Sequence, residues 1–217
     1  MSLSQRAYTE IRNMIVRLDL APGAVIREDE LQTHLGMGRT PIREALQRLV
    51  RDQFVTVIPR RGMYVSGIDV AELALLYETR ATLEPFATRL ACARAKPELW
   101  DRMADALERA QRPGVPAAEL IEIDRECHEI VWEAADNRFL TDTLDMLYAQ
   151  SDRLWHMYLA DVNDMADAVA EHTEMLDALR GGDADRAADL VEAHVRSFDE
   201  QIRAAVTRRL GSPLADR

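Results

Sequence analysis

Cysteine is scarce: the 217 residues contain two. Cys92 and Cys127 stand far apart, so they form no disulfide framework and suit a reducing cytoplasm. No apolar run approaches the length needed to cross a bilayer. The first residues, MSLSQRAYTEIRNMIV, lack the apolar stretch of a signal peptide. These absences point to a cytoplasmic protein without a membrane part. Internal repeats and low-complexity tracts are absent as well, and no convincing strand occurs from Ala71 onward. What is present is ordinary for a globular chain: 47% hydrophobic and 30% charged residues. The length suffices for one large domain or two small ones with real cores.

The net charge of −11 is unevenly spread. Residues 1–66 hold ten arginines and seven acids, a charge of +3, and the remainder carries −14. Such asymmetry suggests a part that faces nucleic acid joined to one that does not, although +3 alone is also unremarkable for a small domain.

Apolar Tyr8, Ile11, Ile15 and Leu18 mark a first helix, stopped by Pro22 and Gly23. REDELQTHLGMG reads as a short helix with Leu31 and Leu35 inward, ended by Gly36. RTPIREALQRLVRDQ is the next helix, with Thr40 as N-cap, Pro41 at the first helical position, and Ile42, Leu46 and Leu49 on the apolar face. FVTVIPRRGMYVSG then reads as a hairpin with a basic tip. That order is a winged helix-turn-helix.

Gly67 to Val70 reads as a linker. Helical patterns follow over 71–95, 98–111, 116–135, 138–160, 164–180 and 184–208, with breaks at Pro97, RPGVP, Asn137, DVND and GGD. Pro85 should kink or split the first of them. The expected fold is therefore mainly α: a winged helix-turn-helix over 1–67, an all-α bundle of about six helices over 68–210, and a tail over 211–217.

A recognition helix sets its N-terminal residues against base edges in the major groove. Here that end offers Arg39, Thr40 and Arg43, and arginine is the natural bidentate partner of guanine. The helix N-terminus can hold a phosphate. Arg60 and Arg61 on the hairpin tip could reach an adjacent groove or the backbone. A solvated arginine face is the bland alternative, but helix, turn, basic helix and basic hairpin together favour DNA.

The segment LGMGRTPIREALQRLVRDQFVTVIPRRGMYV resembles the winged-helix motif of GntR-type bacterial transcription regulators, over residues 5–67. The resemblance implies that Arg39 and Arg43 contact the operator, that Thr40 and Pro41 open the recognition helix, and that Gly62 shapes the wing. Gly38 stands where the family often has Ser or Thr, and Asp29 where some members carry a basic residue. Both departures bear on the operator sequence.

IDRECHEIVWEAADN holds an acid, a thiol and an imidazole close together. Neighbours on a helix are rotated by about 100°. Cys127 and His128 therefore cannot face each other as nucleophile and base, and Cys127 reads as core. Asp124 and His128, one turn apart, share a face and could chelate a metal. For an isolated pair, a simple Asp–His hydrogen bond is the commoner arrangement.

Three histidines lie downstream: His156, His172 and His194. The GGD turn should set the last two helices antiparallel. His172 lies nine residues before Gly181 and His194 twelve after Gly182, so their heights differ by roughly one turn or less. One Asp and three His would suit Zn²⁺, Ni²⁺ or Mn²⁺ with positions left open. His156, between Trp155 and Met157, reads as a pocket or surface residue.

LYETRATLEPFATRLA, EIDRECHEIVWEAADNRFL and EHTEMLDALRGGDADRAADLVEAHV resemble the ligand-binding helical (FCD-type) domain of the FadR subgroup of GntR regulators, over about residues 70–208. The resemblance implies a divalent metal, zinc first, on Asp124, His128, His172 and His194. It also implies a small organic acid bound beside that metal, with Arg80 lining the effector cavity. An arginine is a good physical partner for a carboxylate.

The leading expectation is a homodimeric regulator, a repressor rather than an enzyme, that reads a short palindrome in double-stranded DNA. Acid binding would alter the relative pose of its two DNA-binding domains. Two alternatives stand beside it. One is a metal-dependent hydrolase fused to a DNA-binding domain, with Glu129 or Glu171 as base. The other is a regulator whose metal is purely structural.

Overall fold

In a computed structural model, residues 1–67, 70–158 and 165–211 are described. They form nine α-helices and three short strands. None of these helices is long and apolar enough to cross a membrane. The described residues divide into two compact units, one built on the N-terminal residues together with Asp152–Met157, the other on the remaining helices.

The first unit contains α1 (Leu3–Val16), β1 (Val25–Ile26), α2 (Glu28–Leu35), α3 (Arg39–Arg51), β2 (Val55–Ile58) and β3 (Gly62–Val65). Ser2 caps α1, its hydroxyl accepting the Gln5 N–H at 3.1 Å. The apolar stripes of α1 (Ala7, Ile11, Ile15) and α3 (Ile42, Leu46, Leu49) meet and are fully buried, with Phe54 and Val65 closing the core. The sheet is antiparallel in the order β1-β3-β2. It is a winged helix-turn-helix.

Local details differ from expectation. Strand β1 was not foreseen, because two residues carry no readable alternation. Leu35 is only half-buried, while Met37, just past the helix, is buried. Helix α3 begins at Arg39 with extended Gly38 as its N-cap, so Thr40 is not the cap and Arg39 lies inside the helix. Pro41 then falls in the first turn, where its missing N–H has no intrahelical acceptor to lose.

The second unit is built on α4 (Val70–Arg94), α5 (Pro97–Ala110), α6 (Ala117–Ala134), α7 (Arg138–Tyr158, except Asp152–Met157), α8 (Met165–Arg180) and α9 (Ala184–Gly211). Helix α4 runs unbroken through Pro85, which does not split it. Packing on α9 and α6 holds the turns on either side of the missing donor. The core gathers Met103, Ile130, Leu144, Trp132 and Leu179 from four of these helices. Residues 68–69 of the expected linker, the DVND break, and 212–217 of the expected tail lie outside the described residues.

The α8–α9 connection sets the site. Gly182 adopts φ +74°, a left-handed conformation, while Asp183 N–H bonds to the Ala178 carbonyl at 3.0 Å. Asp183 then caps α9 by accepting the Arg186 N–H at 3.1 Å. A Cβ at Gly182 would meet nothing within 4 Å, so its conformation alone demands glycine. Gly182→Ala should therefore destabilise by about 1–2 kcal/mol. In thermal unfolding of the helical domain, this should lower the midpoint by about 2–8 °C.

Candidate functional site

Helix α6 has two faces. Ile123, Cys127 and Ile130 enter the apolar core. Asp124 and His128, one turn apart, are buried on another side, each no more than 4% exposed. The antiparallel α8–α9 hairpin brings His172 and His194 to the same place, with ring centroids 4.5 Å apart. One ligand atom from each of Asp124, His128, His172 and His194 lies within 4.8 Å of the others.

The contacts inside this cluster are specific. Nε2 of His172 donates to Asp124 Oδ1 at 2.8 Å, and Tyr148 Oη donates to Oδ2 at 2.6 Å. Nε2 of His194 lies 3.3 Å from both Asp124 Oδ1 and His128 Nε2. Outside the cluster, Nδ1 of His128 donates to Glu84 Oε2 at 2.7 Å, and Nδ1 of His194 to Glu171 Oε2 at 2.6 Å. An ionised carboxylate only accepts, so these Nδ1 atoms carry protons. For neutral rings, that leaves the Nε2 lone pairs pointing inward.

This arrangement fits a metal ion. Three imidazole nitrogens and a carboxylate oxygen form a borderline-soft donor set. Bonds of about 2.1 Å in a tetrahedron place donors about 3.4 Å apart, inside the range set here by the 2.8 Å His172–Asp124 contact and the 4.8 Å limit of the cluster. Carboxylates behind two of the imidazoles fix tautomer and orientation, as is usual for metal-bound histidine. The Nδ1 of His172 has no such partner.

The electrostatics follow from burial and contact. Burial alone would raise the Asp124 pKa, but hydrogen bonds from His172 and His194 and the nearby histidine charges hold it well below the carboxylate range. Glu84 is likewise held low against its burial by His128 and Arg80. Burial would lower His194, yet its bonds to Asp124 and Glu171 outweigh that and push it up to about 9. Burial, then repulsion from His194, lowers His172 to about 4. Without a metal, a proton on His194 thus fills part of the cation's role.

Arg80, on α4, is buried and gives Nε and Nη2 to Glu84 Oε1 at 2.8 and 2.6 Å. Its guanidinium carbon lies 4.9 Å from the Tyr148 ring centroid. Arg80 therefore joins the cluster through Glu84 and His128. Glu84 and Tyr148 were not singled out from the sequence. The Arg80–Glu84 spacing of one turn was the available signal for the first; nothing local marked the second. Glu171 had been considered only as a base, and here it orients His194.

His156 is not in the cluster. Its Nδ1 lies 3.0 Å from both the carbonyl and the carboxylate of Asp152. Cys127 is fully buried among apolar residues, and burial followed by the Asp124 charge pushes its thiol pKa up, so it is no nucleophile. Glu129 faces solvent and pairs with Arg125 at 2.8 Å, away from the histidines.

On the first unit, Arg39, Thr40 and Arg43 are exposed and Pro41 is half-buried. Arg43 is not free: its Nε donates to Glu28 Oε2 at 2.8 Å. The wing turn closes through Arg61 N–H to the Ile58 carbonyl at 3.0 Å, with Pro59 second and Arg60 third at φ +64°. Glycine is the usual residue there. An arginine held in that conformation is strained. Gly62 follows at φ +106° and opens β3.

Two family models match this chain. That of the bacterial regulatory proteins, gntR family, covers residues 3–65, and that of the FCD domain covers residues 75–197. A regulator in an unstable DNA locus of Streptomyces ambofaciens is 31% identical over 91% of this chain and 85% of its own length. The Nta operon transcriptional regulator of Aminobacter aminovorans is 32% identical over 89% and 93%. The HTH-type transcriptional repressor RspR of Escherichia coli is 26% identical over 93% and 89%. The solved structure of E. coli McbR/YncC has the same fold, with a TM-score of 0.82 over 96% of this chain and 99% of that one, at 22% identity.

The matched family models and the relatives covered over most of their length make this chain a transcription regulator rather than an enzyme. The chain belongs to the GntR family, in the FadR-like subgroup with an FCD domain, whose members bind DNA.

Metal content should depend on these residues in a definite way. His128→Ala should lose most bound metal, whereas Cys127→Ser and His156→Ala should keep it, as read by elemental analysis of purified protein. The sign of the pH dependence follows from His194. Below about 9 its Nε2 is protonated, so metal binding must release that proton. Apparent affinity should rise about tenfold per pH unit between pH 7 and 9 and then level off. As pH falls toward about 4, His172 adds a second competing proton. Chelator competition at several pH values checks this, and a flat profile contradicts the assignment.

Proposed function

We propose that this protein is a homodimeric, cytoplasmic repressor whose affinity for a short palindromic operator is set by a small organic acid bound beside a divalent metal. On this reading residues 1–67 read DNA, and residues 68–210 hold the metal, the effector and the dimer contact. The observation that carries the effector half is the buried Asp124–His128–His172–His194 cluster with carboxylates behind two of its imidazoles.

A charge count supports a divalent ion. Asp124, Glu84 and Glu171 bring three negative charges, and Arg80 brings one positive. A divalent cation with neutral histidines closes the balance. Three nitrogens and one oxygen favour zinc, with nickel and manganese as the other candidates. Three imidazoles and one carboxylate fill a tetrahedron, so a carboxylate ligand would join by raising the coordination number to five or six. Nη1 of Arg80 has no protein acceptor among the described residues, which suits it to an incoming acid.

The acid acts only if it binds two conformations with different affinity. Repression, rather than activation, is favoured by relatives named as repressors. The test of this reading is operator affinity measured across a library of small carboxylic acids, with metal loaded and removed. Release of operator by at least one acid, abolished by metal removal and by His128→Ala, is the expected result. Unchanged affinity throughout leaves the metal structural.

On the DNA side, exposed Arg39 and Arg43 on the first turns of α3, and the strained Arg60 beside Arg61, support base and backbone contact. The first turn of α3 has no side-chain cap, so its free N–H groups suit a phosphate. Arg39→Ala or Arg43→Ala should weaken operator binding by about 1–3 kcal/mol if each arginine makes a bidentate base contact. Arg60→Ala should weaken binding evenly across sequences and flatten its salt dependence. Fluorescence anisotropy over a salt series separates the two behaviours.

A two-fold dimer would place two recognition helices on successive major grooves. The outer face of α4 supports the helical domain as its source. Leu75 and Phe86, three turns apart, are 62% and 52% exposed and flank Thr79 and Thr82 on that face. Phe86→Arg should shift the protein from dimer to monomer in sedimentation at micromolar concentration, and should weaken operator binding with it.

A further inference from the structure

The Arg43–Glu28 pair links the two helices of the helix-turn-helix. Glu28 lies in the first turn of α2, and Arg43 on the DNA-facing end of α3. Only Nε of Arg43 is engaged, at 2.8 Å, while Nη1 and Nη2 have no protein acceptor among the described residues. Arg39 has no such tether there. Of the other acids in that turn, Glu30 is taken by Arg27 at 3.0 Å.

Stability does not account for the pair. Its side chains are 55% and 29% exposed, where solvent and salt leave an ion pair little net worth. Nor does general attraction to DNA, because a carboxylate beside the phosphate backbone opposes it. A dipole interaction at the α2 N-terminus needs an acid but not Arg43.

We propose that Glu28 is a positioning residue for sequence reading. It holds Nε of Arg43 so that only the Nη1–Nη2 edge of the guanidinium can meet a guanine. That edge presents two parallel donors to O6 and N7. The tether removes the side-on approach through Nε and reduces the freedom lost on binding. The carboxylate also repels DNA on which Arg43 finds no partner. Both effects widen the gap between operator and other DNA. The inference rests on the recognition-helix reading above.

The test uses the full-length protein, an operator selected by it from random duplex DNA, and a scrambled duplex of equal length. Glu28→Ala should lower the ratio of operator to scrambled affinity by about fivefold to tenfold, part of the worth of a bidentate contact. Scrambled DNA should bind no more weakly than before, and the melting temperature should hold. Glu28→Gln keeps an acceptor for Nε and should recover most of the ratio. In an Arg43→Ala background, Glu28→Ala should cause no further loss of operator affinity. An unchanged ratio in Glu28→Ala overturns the proposal. So does an equal loss in the Arg43→Ala background, or a Gln variant as poor as the Ala variant. If Arg43→Ala itself leaves operator affinity intact, the recognition-helix reading falls too; if only Glu28 is silent, that reading stands.

Discussion

The Asp124 carboxylate is buried at the meeting point of α6, α7, α8 and α9, and the polar interior of the helical domain is arranged around it. It takes hydrogen bonds from Tyr148 and His172 and lies 3.3 Å from the His194 ring. Leaving a charge uncompensated in such a place is expensive. The surrounding helices therefore supply either protons or a cation. Protons serve in the metal-free state, with His194 charged and His172 neutral. This explains why two identical side chains in contact have pKa values driven in opposite directions. His194 has carboxylates on both ring nitrogens, while His172 has one on Nε2 and nothing on Nδ1.

The same logic extends outward through α4. Glu84 is held between His128 and Arg80, so one carboxylate both orients an imidazole and fixes a guanidinium. A charged ligand arriving near Arg80 competes for a group that Glu84 already holds. Any shift of Glu84 then alters the orientation of His128. Metal and acid would therefore be coupled through two hydrogen bonds, without needing to touch. Coupling of this kind is reciprocal: what the acid does to metal affinity, the metal must do to acid affinity.

The general plan was readable from sequence because punctuation and periodicity agree. Gly36, Pro97 and Asn137 end or open helices where expected, and the α8–α9 turn rests on a glycine in a conformation other residues resist. The cluster itself followed from two local facts, a one-turn spacing in α6 and matched heights across a hairpin. Glu84 and Tyr148 were not readable. They come from helices whose rotation against α6 is decided by packing, which no spacing within one helix encodes. The α3 cap failed for a different reason. Thr40 is the better capping side chain, but the cap is where the backbone turns from extended to helical, and that is at Gly38. The Arg43 tether was hidden likewise, since Glu28 reaches it only across the folded turn.

The arginines of the DNA-facing unit end up in unlike states. Arg39 has no protein partner among the described residues, Arg43 is held by one nitrogen, and Arg60 sits in a strained turn. An untethered arginine can follow a phosphate or a base but loses more freedom when it does. A tethered one accepts fewer geometries and rejects more sequences. A wing turn of set conformation would suit the proposed backbone contact, whose task is register rather than readout. The same residue type can therefore supply adaptability, discrimination and placement, because the groups around each guanidinium differ while its chemistry does not.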